Sequence, residues 1–130
     1  MKYLLDVNAL LAAVWSNHSR HTDAFDWLED KSIVLCPLTE LGFLRISTNP
    51  KAINAPMNKA RELLARFAAE RKAERISDDL PALDSHPGTS EEVTDHYLAD
   101  LAVKHGLKLA TFDERLAHNA IEIISDADTA

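Results

Sequence analysis

A chain of 130 residues with 46% hydrophobic content is the size of one domain and can cover both faces of a sheet. Its formal net charge of −7 excludes a protein that grips nucleic acid by general phosphate neutralisation, so any such role must be local to a built site. A single cysteine, Cys36, excludes an intramolecular disulfide and a cysteine-based zinc centre.

Lys2 to Leu5 is an apolar run of strand length, too short and too early for the apolar region of a secretory signal. No stretch approaches the roughly 20 apolar residues of a membrane span, so the expectation is one cytoplasmic domain over 1–130 with no membrane partner. Helical patterns follow at Asn8–Ser16 and Thr22–Asp30, then a strand at Ser32–Cys36. Cys36 ends that apolar run and is expected to pack rather than react. Pro37 opens a helix with Leu38, Leu41, Leu44 and Ile46 as apolar positions and Glu40 on its first turn. A loop at Asn49–Ala55 leads to a long amphipathic helix from Pro56 to Lys72, with Leu63, Leu64, Phe67 and Ala68 as its buried stripe. Arg75–Asp78 reads as a short strand and Asp79–Thr89 as a loop bordering the site. From Ser90 or Thr94 a helix runs to His105 and stops at Gly106. Leu107–Thr111 is a strand, Asp113–His118 a short helix and Ile121–Ile124 a last strand.

Strands separated by helices pair in parallel through right-handed crossovers, which predicts an α/β fold: a single three-layer α/β/α sandwich on a mostly parallel sheet. Ligands of such sheets bind outside the carboxyl ends of the strands. Asp6 stands directly after the first strand, Glu40 shortly after the second, and Asp113 two residues past Thr111. Asp95 arrives on the first turn of a helix, three residues before the inward stripe of Leu98, Leu101 and Ala102. Asp also suits the cap of the helix that follows it, and the sequence does not choose between capping and ligation for Asp6.

Carboxylates gathered in one place repel one another, and at least one takes up a proton unless positive charge intervenes. Hard oxygen ligands select Mg²⁺ or Mn²⁺, which use few carboxylates and keep several waters. Such a site suits phosphodiester hydrolysis, because a bound ion lowers the pKa of water and a second ion can stabilise the leaving oxygen.

Four motifs carry a family resemblance: Leu4-Leu5-Asp6-Val7-Asn8-Ala9-Leu10, Thr39-Glu40-Leu41-Gly42-Phe43-Leu44-Arg45, Thr94-Asp95-His96-Tyr97-Leu98-Ala99-Asp100-Leu101-Ala102 and Leu109-Ala110-Thr111-Phe112-Asp113. In that order they resemble the PIN-domain ribonucleases, in particular the VapC-type toxins of type II toxin–antitoxin systems. The resemblance implies a metal-dependent endoribonuclease that takes RNA as substrate and Mg²⁺ or Mn²⁺ as cofactor. It implies an acidic quartet of Asp6, Glu40, Asp95 and Asp113, with Asp6 and Asp95 as direct ligands and Asn8 and Thr111 as supporting polar groups. It also implies a homodimer and a cognate VapB-like antitoxin. Two alternatives stand beside it: a haloacid-dehalogenase-like phosphatase, which wants an acid where Asn8 stands, and a non-catalytic scaffold in which the acids cap helices.

The remaining polar and aromatic residues have ordinary readings. Arg45 and Asn49, close after Glu40, are candidates for substrate contact at the same edge. His18 and His21 sit on a turn expected to be solvated. His96 should face away from Asp95, and Asp100 is expected to be solvated. The basic residues Arg61, Arg66, Arg71, Lys72 and Arg75 alternate with Glu62, Glu70 and Glu74, as on a solvated helix face. Trp15, Phe25, Trp27 and Leu28 read as core or dimer contacts.

Overall fold

The computed structural model describes residues 1–125. Five strands, β1 (Lys2–Leu5), β2 (Ser32–Leu35), β3 (Glu74–Arg75), β4 (Lys108–Thr111) and β5 (Ile121–Ile123), form one sheet in the order β3-β2-β1-β4-β5. Every pairing is parallel, with Leu4 opposite Val34 on one side and Leu109 on the other. The helices are α1 (Val7–Val14), α2 (His21–Leu28), α3 (Pro37–Thr48), α4 (Met57–Glu70) and α5 (Val93–Lys104). The expected α/β/α sandwich is therefore the architecture.

Alternation along β1 divides the core. Tyr3 and Leu5 pack with Leu10, Leu28, Phe43, Leu64 and Phe67, beneath α1 to α4. Leu4 points the other way and joins Val34, Leu98, Leu101, Leu109 and Leu116, so α5 covers this second face. Cys36 lies in that second cluster, and burial pushes its thiol up to about 11, in keeping with a packing role. Trp15 stacks on Phe43 and donates its indole N–H to Ser47 at 2.8 Å, while Trp27 meets Tyr3 edge-on. Leu28 is fully buried, and Phe25 stays 45% exposed beside the Arg71 guanidinium.

Two close fits set the helices. A Cβ on Gly42 would come within 2.6 Å of a Val7 methyl, so this glycine lets α3 approach α1. Gly106, at φ +70°, ends α5 in the left-handed conformation, as its position predicts.

Three expectations need correction. Residues 113–118 form turns and irregular chain instead of a helix. Thr111 Oγ1 accepts the Asp113 N–H at 3.0 Å and Asp113 Oδ1 accepts the Arg115 N–H at 2.9 Å, and these local bonds compete with helical ones. The third strand covers Glu74–Arg75 and not Arg75–Asp78. The segment after it does not border the acidic site: Leu80, Ala82, Ser85 and Pro87 line a separate, mostly apolar cavity of about 310 Å³ with Leu38 and Tyr97.

Candidate active site

The sheet order places a topological switch beside β1. Chain progress from β1 to β2 and β3 goes one way, then returns across the sheet to β4 and β5. The carboxyl ends of β1 and β4 therefore flank the crevice where α/β sheets bind ligands. A cavity of about 890 Å³ opens there, lined by Asp6, Asn8, Asp95, Thr111 and Asp113, with Arg20 and Arg115 among its other walls.

Asp6 leaves β1 and caps α1, its Oδ1 accepting the Ala9 N–H at 2.7 Å. The two roles open in the sequence are thus compatible: the same carboxylate caps the helix and faces the cavity. At 2% exposure it is almost dry, and burial first, then the charges of Asp95 and Asp113, push its pKa up to about 7. A hydrogen bond from the Thr111 hydroxyl and the Ala9 N–H hold it back in part. Thr111, fully buried, also accepts the Asp113 N–H, so one side chain ties two acids together. Asp95, on the first turn of α5, is half-buried, and burial followed by the Asp113 charge raises its pKa.

Glu40 stands apart. It lies on the first turn of α3 at the same sheet edge, but its carboxylate pairs with Arg75 Nε at 3.3 Å and it is not among the residues lining the cavity. Arg45 and Asn49 are not among the residues lining this cavity. Both are exposed, and α3 carries Asn49 about 18 Å back along its axis, where its Oδ1 accepts the Lys51 N–H at 2.9 Å. The helix axis runs from the carboxyl edge toward the opposite one, which proximity in sequence does not reveal.

Charge in the basic stretch is largely engaged locally. Arg66 pairs with Glu62 at 2.7 Å, Arg75 with Glu40, and Arg71 lies over the Phe25 and Phe67 rings. On the early turn, His21 Nδ1 lies 2.8 Å from Ala12 O, and His18 accepts the Arg20 N–H at 3.0 Å, so the two rings serve backbone geometry.

The solvated reading of Asp100 is overturned. Its Oδ1 lies 2.8 Å from His118 Nε2 and its Oδ2 lies 3.1 Å from His96 Nδ1. His96 is engaged with Asp100 and Ser85 and is not among the residues that line the acidic cavity with Asp95. Burial opposes the charge on Asp100, but its bonds to His118 and Ser85 and the nearby imidazoles hold its carboxyl below the usual range. Sequence reading missed this cluster because 18 residues separate Asp100 from His118, and only the fold joins them.

The acidic groups fit a hard divalent cation by their chemistry. All the donors are oxygens, they line one cavity, and a nearly dry carboxylate is left uncompensated. Among the described residues, the trio whose donor atoms all lie within 4.8 Å of one another is His96, Asp100 and His118, not the three aspartates. Their wider spacing suits an ion that keeps much of its water.

A PIN domain model matches residues 3–122, and the chain belongs to the PIN-domain family. Its relatives are of the VapC type. It is 37% identical over 123 residues to ribonuclease VapC38 of Mycobacterium tuberculosis (strain ATCC 25618 / H37Rv), covering 85% of this chain and 84% of that one. It is 33% identical over 131 residues to ribonuclease VapC39 of Mycobacterium tuberculosis (strain CDC 1551 / Oshkosh), covering 92% and 94%. The fold also matches a chain in the crystal structure of VapBC2 from Rickettsia felis bound to a DNA fragment from their promoter. The TM-score is 0.63 at 15% identity, over 96% of this chain and all of that one. Among the described residues, no helix is long and apolar enough to cross a membrane.

Proposed function

We propose that this protein is a metal-dependent endoribonuclease, the toxin of a type II, VapBC-like toxin–antitoxin pair. The observation that carries the reading is the convergence of Asp6, Asp95 and Asp113, from three separate segments, on one cavity at the switch of a parallel sheet. The VapC ribonucleases it resembles give the reaction class.

Asp6 and Asp95 are the ligands of Mg²⁺ or Mn²⁺ in this reading, with Asp113 completing the acidic wall. A bound ion would neutralise these charges and lower the pKa of the attacking water. Asp6 is fixed by its bond to the Ala9 N–H, so its carboxylate needs no reordering when substrate arrives. Thr111 holds Asp6 and the backbone of Asp113 in register, and Asn8 adds a polar group at the wall. Arg20, seated 4.1 Å over the Phe112 ring and paired with Asp23, brings positive charge to the rim where a phosphodiester must pass. Glu40, paired with Arg75 at the same sheet edge, is the fourth acid of this reading. A VapB-like antitoxin and a homodimer belong to the same reading.

Cleavage of a labelled RNA with Mg²⁺ or Mn²⁺ tests the assignment. Asp6→Asn and Asp95→Asn should each abolish cutting while leaving a folded protein. Wild-type rates in both variants would refute it.

A further inference from the structure

Asp113 stands on a loop, residues 112–120, that has no regular structure of its own. Asp95 stands on α5. A site built from both needs something that fixes one against the other. Leu116 supplies an apolar anchor, 3% exposed and packed in the same cluster as Leu98 and Leu101. His118 supplies a polar one, its Nε2 lying 2.8 Å from Asp100 Oδ1.

The ring's other nitrogen gives the bond its direction. His118 Nδ1 accepts the Ala120 N–H at 3.0 Å, so Nδ1 carries no proton and the neutral ring bears it on Nε2, aimed at Asp100. Asp100 is thus an acceptor held between two imidazoles. His96 Nδ1 lies 3.1 Å from its second oxygen, and the Ser85 hydroxyl lies 3.2 Å from that nitrogen. The two rings meet edge-on with centroids 5.2 Å apart.

The cluster has the composition of a metal site, yet its hydrogen bonds oppose one. Ligation through Nε2 would move the proton to Nδ1, against the Ala120 N–H, whereas metal-bound histidines donate from their second nitrogen.

We infer that Asp100 is a positioning residue: through His118 it clamps the Asp113 loop onto α5 and thereby fixes the spacing between Asp113 and Asp95. This rests on the metal-dependent reading of the acidic cavity given above. Outer groups that orient ligands typically change metal affinity or activity by about 10–100-fold when removed.

The test uses the full chain as wild type, Asp100→Ala, Asp100→Asn, His118→Asn and the Asp100→Ala/His118→Asn double variant. Glu62→Ala, which breaks the exposed pair with Arg66, is the control. His118→Asn keeps an acceptor for the Ala120 N–H but loses the donor to Asp100. Calorimetry gives Mn²⁺ affinity, and a short labelled RNA gives kcat and KM. Asp100→Ala and His118→Asn should each weaken Mn²⁺ binding and lower kcat by about tenfold or more, with KM little changed. The double variant should be no worse than the poorer single, because both break one link. Asp100→Asn, which retains a carbonyl acceptor, should recover most of the loss, and the control should match wild type.

Variants that melt earlier but bind Mn²⁺ and turn over normally below their midpoint would overturn the clamp alone. A wild type that binds no Mn²⁺ would instead overturn the acidic-site reading beneath it. Co²⁺ absorption lost in His118→Asn but kept in Asp6→Asn would make the cluster a metal site and also overturn the clamp.

Discussion

Asp6 is held where its charge is costly, and replacing it with Asn should stabilise the metal-free protein while abolishing its chemistry. The carboxyl is 2% exposed and its pKa is raised from 3.8 to about 7. At about 1.4 kcal/mol per unit, that rise corresponds to an upper bound of about 4 kcal/mol, and relaxation of the surroundings brings the working range to about 2–4 kcal/mol. Because the folded pKa lies above the unfolded one, this contribution favours folding only while Asp6 is protonated. The wild type without metal therefore loses stability as pH rises from about 4 through about 7. Asn keeps the cap on Ala9 and cannot ionise, so it escapes the loss. Thermal unfolding in EDTA should show near-equal midpoints at pH 4 and a variant advantage of roughly 7–15 °C at pH 8 for a chain of this size. Millimolar Mn²⁺ should then raise the wild-type midpoint at pH 8 and leave the variant nearly unmoved. A variant less stable than wild type at pH 8, or a difference that does not change with pH, would show that Asp6 is not a destabilised buried carboxylate.

Asp113→Asn should lower RNA cleavage at least tenfold and weaken the Mn²⁺-induced shift in midpoint, since Asp113 charge acts on both Asp6 and Asp95. Glu40→Gln should lower cleavage by about tenfold while changing stability by less than about 1 kcal/mol, because its pair with the exposed Arg75 is weak; an unchanged rate would remove Glu40 from the site. Gly42→Ala should destabilise by about 1–3 kcal/mol through the Val7 clash, although helix propensity alone predicts a gain, and Val7→Ala should relieve the clash in the double variant. Chemical denaturation decides the sign. Cys36 should resist thiol labelling at pH 8 until denaturant unfolds the chain, because it is buried with its thiol pushed up to about 11.

Much of the fold was legible because long-range order here follows local period. β1, β2 and β4 read as apolar runs, and the helices between them forced parallel crossovers. Asp6 and Asp95 were legible for the same reason: one directly ends a strand, and the other lies one turn before an inward stripe. The turn at 113–118 was not, because side-chain bonds from Thr111 and Asp113 to the backbone outcompete an acceptable helical sequence. Arg45 and Asn49 misled because nearness to Glu40 in sequence says nothing about which end of α3 meets the cavity. The Asp100 cluster required knowledge that the β4–β5 loop folds back onto α5, a contact with no periodic signature.

The second face of the sheet depends on one helix, α5, which also carries Asp95. Any local opening that lifts this helix exposes Leu98 and Leu101 and removes an acid from the cavity in the same movement. A nuclease built this way carries an internal safeguard: a frayed or half-folded copy is a target for proteases before it is a hazard to RNA.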